Sequence, residues 1–422
     1  MSAGLSVGTE VVSAHARPSR RVPFWAWPLG LAAIIVVIAL LRVVTGKDDI
    51  FSSGTLGAAL AWAMPLALAG LGGLWSERAG VINIGLEGMM ILGTWGAAFG
   101  AIHGGPWMGV VGAVVCGAIG GLVHALATVT FGVDHIVSGV ALNIVALGSA
   151  SYLAARFFGE LEGGSDVQSP PLPDLPKVGI PGLSGPLGAV EERGWFFVSE
   201  VAALLRAMTT NLSVLTVIGL LLFVGTWWVL WRTPFGLRVR SCGESPTAAE
   251  TLGVNVYLYK YIAVTASGGL AGLGGGFLAM VASSAYREDQ TGGRGYIGLA
   301  AMIFGNWRPG GVLMGSGLFG YTDALQLRGG GESIHALLLL VGVLLLAIGI
   351  WQVVRHGRPL AGAVAVVAGI AVIVLWLVTD TVPGDFTRFA PHLTTLLVLA
   401  FASQRLRMPA ANGKVYRRGE GH

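Results

Sequence analysis

The sequence predicts an all-α, polytopic helical membrane protein with about 10–12 transmembrane helices, and three observations predict it. Of 422 residues, 54% are hydrophobic and only 11% charged, where a soluble domain carries about 25% charge. The apolar residues fall in runs of roughly twenty, the length that crosses a ~30 Å hydrocarbon core as a helix. A β-barrel would instead show alternating segments of ~10 residues. A soluble enzyme and a disordered chain are both excluded.

Residues 1–23 read as a basic cytoplasmic arm carrying Arg17, Arg20 and Arg21. The apolar run that follows ends without a small-residue cleavage site, which marks an anchor and not a removed signal peptide. A first transmembrane half is expected over 24–157, with spans at 24–44, 55–75, 80–102, 107–131 and 135–157. An external loop over 158–210 comes next, rich in Pro and Gly to Gly188, either a cap with one interfacial helix near Trp195–Leu205 or a solvated linker. One helix is expected within 211–231, then a cytoplasmic coupling loop over 232–260. The second transmembrane half, 261–339, contains an apolar run at 296–307 that is too short to cross upright, so a broken or re-entrant helix is expected there. Residues 340–385 form an extra hydrophobic hairpin, 386–404 the last helix and 405–422 a basic tail. Twelve spans put both termini on one side. The arginines and lysines of the short loops and tails make that side cytoplasmic.

The net charge of +4 does not point to nucleic acid, because the basic residues sit at the ends of apolar runs. Cys116 and Cys242 do not suggest a disulfide framework. No metal site is indicated, since His135 has no Cys or second His nearby at ligand spacing. Glycine supplies 66 residues. At four-residue spacing, as at Gly117/Gly121, Gly268/Gly272/Gly276 and Gly311/Gly315, it lets helix backbones approach closely. Met90–Trp95 echoes Met302–Trp307, as in inverted pseudo-repeats that place interrupted helices around a substrate site.

Polar groups at membrane depth mark pathways or packing partners. Asn83 and Glu87 are four apart on one helix face, beside Gly80, Gly85 and Gly88, which loosen the same turns. They lie either on a substrate path or in an interhelical clamp. Asp134 and Ser138 are read as helix caps, whereas Asn143 lies too deep for that role. Asp323 is an isolated acid, a proton relay or a structural partner. Trp95 and Phe304 are aromatics near the echoed segments, suited to stacking on a flat ligand. None of the four lysines is followed by Ser or Thr, so the phosphate-binding loop of an ATPase is absent. In the 232–260 loop, Pro246 begins a short helix that Gly253 ends, set beside Arg238 and Arg240.

The segments Ser76–Met90, Asp134–Asn143, Arg232–Val256, Thr291–Trp307 and the tail Gly413–Glu420 resemble the permease subunit of bacterial nucleoside and simple-sugar ABC importers. That group lies within the branched-chain amino acid permease superfamily. The resemblance implies a non-catalytic, multi-pass protein of the bacterial plasma membrane that imports nucleosides by alternating access. It implies as partners an ABC ATPase subunit that holds ATP and Mg, a second homologous permease and an external substrate-binding lipoprotein, with membrane lipid around them. No cofactor is expected on this chain. Ribose-like sugars or branched-chain amino acids are the alternative cargo, and an ion-coupled carrier the rival mechanism. By the same likeness Ala248, Ala249 and Gly253 take the small-residue positions of the ATPase-coupling motif, and Gly236, Arg238 and Arg240 are read as part of the same coupling loop. Thr247 stands where other families carry Glu, a departure that bears on how the loop meets its ATPase.

Overall fold

The computed structural model describes residues 26–356, 359–387 and 406–419. The expected basic arm and most of the 386–404 span lie outside those residues. Thirteen helices of six residues or more organise the described residues. The first four are α1 (Ala26–Thr45), α2 (Ser53–Arg78), α3 (Leu86–Ala125) and α4 (His135–Phe158). Next come α5 (Ser184–Glu192), α6 (Val198–Thr209), α7 (Val214–Arg232), α8 (Pro234–Glu244) and α9 (Pro246–Thr251). The last are α10 (Val256–Phe277), α11 (Arg294–Phe304), α12 (Pro309–His356) and α13 (Pro359–Val378).

Among the described residues, seven helices are long and apolar enough to cross a membrane. Two of these, Leu86–Thr130 and Pro309–Arg355, would each be about 70 Å long if straight, over twice the hydrocarbon thickness. Each is interrupted by a glycine outside helical geometry: Gly105 at φ 79° before Pro106, and Gly330 at φ 54°. A Cβ on Gly96 would lie 2.5 Å from the Gly112 carbonyl, so 86–104 and 106–125 fold back on each other. Counting each of these helices as two, and adding α1, gives ten apolar segments among the described residues, within the range read from the sequence.

The centre of the bundle is built on glycine. A Cβ on Gly117 would meet the Gly268 carbonyl at 2.3 Å, and one on Gly93 the Gly272 carbonyl at 2.2 Å, so α3 and α10 touch backbone to backbone. Close contacts of the same kind pack α11 and α12 on α2. A Cβ on Gly298 of α11 would lie 2.8 Å from the Leu66 carbonyl of α2, and one on Gly320 of α12 would lie 2.4 Å from the Ala63 nitrogen of α2. The two echoed segments differ in one respect. Gly93 continues its helix, whereas Gly305 ends α11 and passes the chain to Asn306 and Trp307 at φ 54° and 52°. The short apolar run is accordingly the 11-residue α11, about 16 Å long and unable to span alone.

The 158–213 segment is docked, not a solvated linker, and it holds two helices where one was expected. Its chain is also tied by a short antiparallel pair, Lys177–Val178 with Leu212–Ser213. Glu200 of α6, 1% exposed, pairs with Arg42 of α1 at 2.8 Å. Burial alone would raise the Glu191 carboxyl, but the Ser53 N–H at 2.7 Å and Arg206 at 3.0 Å hold it below the usual range. By contrast, 331–356 and α13 pack on each other through Gly342, Gly349 and Gly362 and expose Val343, Leu344, Val364 and Val367. That outward apolar surface is what lipid-facing helices carry.

Candidate functional site

The chain leaves helical geometry after α2, at Gly80 (φ 84°), and α3 begins only at Leu86. The unwound stretch between them is buried at Val81 and Asn83, both 0% exposed. Backbone groups in hydrocarbon need partners, and side chains supply them here. The Ile82 N–H donates to His135 Nδ1 at 3.2 Å, and the Ile82 carbonyl lies 3.0 Å from His124 Nε2. Ser76 Oγ donates to the Val81 carbonyl at 2.7 Å, and Asn143 Nδ2 to the Ile84 carbonyl at 3.1 Å.

Two helix N-termini meet beside this stretch. The amide oxygen of Asn143, on α4, accepts from the Gly88 N–H at 2.7 Å and so caps α3 from a neighbouring helix. Asn143 Nδ2 also donates to the Tyr296 hydroxyl at 2.8 Å. The Glu87 carboxylate accepts from the Gly293 N–H at 2.9 Å and the Gly295 N–H at 2.6 Å, which caps α11. Both partial positive ends are thereby offset by one negative charge. Only glycine fits at 295, where a Cβ would sit 2.6 Å from Glu87 Cα.

Asn83 and Glu87 do not share one helix face, because Asn83 lies in the unwound stretch and Glu87 in the first turn of α3, and the partners of Asn83, Glu87 and Asn143 are protein groups. Asn83 Nδ2 donates to Ser267 Oγ at 2.9 Å, while its Oδ1 is buried without a partner. Trp95 is elsewhere, stacked on Phe99 at 5.0 Å and set against Phe157 and Phe158, with its Nε1 also buried and unpaired. Phe304 packs on Phe319 in a different cluster, with Leu66 and Ala301. The two aromatics therefore do not share one stacking platform. Asp134 caps α4 as expected, accepting from Ile136 and Val137 N–H groups at 2.9 and 3.0 Å. Ser138 does not cap; its hydroxyl pairs with His124 at 2.9 Å. Sequence reasoning passed over His124, although an ionisable residue inside an apolar run is itself a signal. Ser267 and Tyr296 carried no such signal.

An apolar groove of about 600 Å³ opens between α3, α7 and α10, lined by Val114, Ala118, Leu222, Thr265 and Gly269 among others. None of the five candidate path residues lines it. Among the described residues, no group of three His, Cys, Asp or Glu side chains could hold a metal ion.

At one end of the bundle the 232–260 loop folds into α8 and α9. Thr233 caps α8 by accepting from the Gly236 N–H at 3.1 Å, with Pro234 in the first turn. The sequence reading placed a helix only from Pro246. Gly236 is packing glycine, since a Cβ there would lie 2.1 Å from the Val229 carbonyl. Arg238 donates to the Tyr259 hydroxyl at 2.9 Å and Arg240 to the Leu230 carbonyl at 2.9 Å, so both arginines brace the loop against α7 and α10. α9 ends as expected, with Gly253 at φ 82° and its N–H donating to the Glu250 carbonyl at 2.8 Å. Ala249 is buried and Ala248 exposed, and Leu252, 84% exposed, projects beside Gly253.

The chain is 39% identical over 280 residues to the guanosine ABC transporter permease NupQ of Bacillus subtilis, covering 64% of this chain and 81% of that protein. It is 30% identical over 369 residues to the nucleoside ABC transporter permease NupC of Lactococcus lactis, covering 85% and 94%. A putative glucose ABC transporter permease of Haloferax volcanii, TsgC13, is 32% identical over 374 residues, covering 87% and 98%. No solved structure matches. The model of the family described as branched-chain amino acid transport system / permease component matches residues 55–349, and the chain belongs to that family of membrane permeases.

Proposed function

We propose that the protein is the permease subunit of an ABC importer that moves nucleosides into the cytoplasm by alternating access. ATP is hydrolysed on a separate subunit docked at α9, and the chain works beside a second homologous permease and an external substrate-binding lipoprotein. The observation that carries the ATP-driven part is the braced α8–α9 unit, which presents Leu252 outward from a helix that Gly253 terminates. An exposed large apolar side chain on a rigid, polar-flanked loop suits a protein partner. On this reading α9 marks the cytoplasmic side, with both termini on it.

The nucleoside cargo is supported by the likeness to the guanosine and nucleoside permeases. Asn83 Oδ1 and Trp95 Nε1, buried polar atoms without partners, are the groups best placed to meet a ligand's hydroxyl or base edge once the path opens. The glucose-permease relative supports a sugar as second cargo. Reconstituting the full complex in liposomes and following labelled guanosine tests both. ATP-dependent uptake that excess unlabelled guanosine suppresses and glucose does not is the expected result. Suppression by glucose would assign the sugar, and uptake that needs an ion gradient without ATP would overturn the ATP-driven reading.

A further inference from the structure

We propose that the C-terminal segment 406–419 is a positioning strap that ties the ATPase-docking helix α9 to the junction where α2 and the α11–α12 turn meet. The inference rests on the ATP-driven reading and adds a route for it. The tail runs across several elements. Its Arg407 N–H donates to Asn306 Oδ1 in the turn after α11 at 2.7 Å. The Ala411 N–H then donates to the Gly243 carbonyl at the end of α8 at 2.9 Å. Farther on, the Tyr416 hydroxyl donates to Glu250 of α9 at 2.5 Å, and Arg418 pairs with the same carboxylate at 3.3 Å.

Between these ends lies Asn412, 7% exposed, whose Nδ2 donates to Glu77 at 2.8 Å. Glu77 is itself buried at the base of α2, and the same oxygen accepts from Trp307 Nε1 at 2.6 Å. Arg78 donates to the Trp307 carbonyl at 2.6 Å, which closes the junction from the α2 side. Glu77 thus joins three segments that are far apart in sequence. From it, α2 leads through the unwound stretch to Glu87, and α11 runs back from Trp307 to the N–H groups that Glu87 caps. A displacement of α9 by the ATPase reaches both halves of that clamp through Tyr416 and Asn412. A buried carboxylate shared by a tail and a turn is an expensive feature for a mere terminus, and a route between sites needs a chain of packed, bonded groups of this kind.

The test uses the complete complex of permeases, ATPase and binding protein in liposomes. Tyr416→Phe removes the bond to Glu250 and keeps the ring against Tyr257; Asn412→Ala removes the bond to Glu77. The reading is the ratio of guanosine taken up to ATP hydrolysed, alongside assembly and melting temperature. Each variant should assemble and hydrolyse ATP but lower that ratio at least about fivefold. The double variant should be no worse than the poorer single, because both cut one route. An unchanged ratio in both singles, losses that multiply, or losses that follow the amount assembled would overturn the strap. Wild-type uptake independent of ATP would instead remove the reading beneath it, so the two failures are told apart.

Discussion

At the scale of single residues, the question posed by the Ser76–Gly88 cluster is whether its polar groups serve a ligand or the fold. The structure separates Glu87 from Asn83. Both Glu87 oxygens are used on backbone N–H groups of α11, whereas Asn83 leaves one oxygen unpaired. Glu87→Gln keeps one acceptor, turns an NH₂ toward the other N–H and loses the charge that offsets two helix ends. It should cost about 1–3 kcal/mol of stability, and uptake should fall in step with melting temperature. Asn83→Ala should lower uptake by on the order of tenfold with a smaller loss of melting temperature, the effect of ~1.4 kcal/mol lost from ligand binding. Full uptake by Asn83→Ala would end its assignment to the substrate path. The cluster was legible because polar residues inside an apolar run stand out. Its partners were not, because Gly293 and Gly295 lie more than 200 residues away and offer only backbone, which no residue type announces.

Among elements, α9 and the glycine contacts make opposite demands on substitution. Gly253 sits at φ 82° with open space around it. Gly253→Arg therefore costs about 1–2 kcal/mol of backbone strain locally and puts a bulky charge beside Leu252. It should leave insertion intact while uncoupling transport; normal uptake with normal ATPase stimulation would remove α9 from the docking site. Gly272 has no such room, because a Cβ would lie 2.3 Å from the Ala113 carbonyl. Gly272→Val should force α3 and α10 apart and abolish recovery of folded permease. Gly148→Ala is the control. It meets nothing within 4 Å on an exposed face of α4, and should raise the melting temperature slightly, as Ala is favoured over Gly in a helix by about 1 kcal/mol. A loss of folded protein equal in both variants would show that glycine content, and not the close contact, matters. The four-residue glycine spacing made these contacts legible. α8 was not expected, although Thr233-Pro234 carries the same helix-start signal as Ser245-Pro246, one helix earlier.

For the molecule as a whole, apolar run lengths marked the break at Gly105, between 80–102 and 107–131, and the short run that becomes α11, but not the unwound entry to α3. Residues 80–102 read as one span, yet their first six are unwound and held by His124, His135 and Asn143, which only the assembled bundle brings near. The same reading set 340–385 apart as an added hairpin, and its packing now gives that a physical basis. Gly342, Gly349 and Gly362 hold 331–356 and α13 to each other. Their outer faces expose Val354, Val364, Val367 and Leu377, and neither reaches the Glu87 clamp. The attachment to the core is at the other end of the helix, where Ala336 packs with Leu41 and Ile50 and where the Tyr321 hydroxyl donates to the Ile50 carbonyl at 2.7 Å. Deleting 340–385 leaves those anchors in place and removes two crossings, so the tail keeps its side and still reaches Glu77. The truncated permease should melt lower, because it loses the buried seam between the two helices, and should retain ATP-dependent uptake to within about threefold once equal amounts of assembled complex are compared. If assembled complex instead fails to take up guanosine, the hairpin belongs to the transport path and the clamp at Glu87 is not its centre.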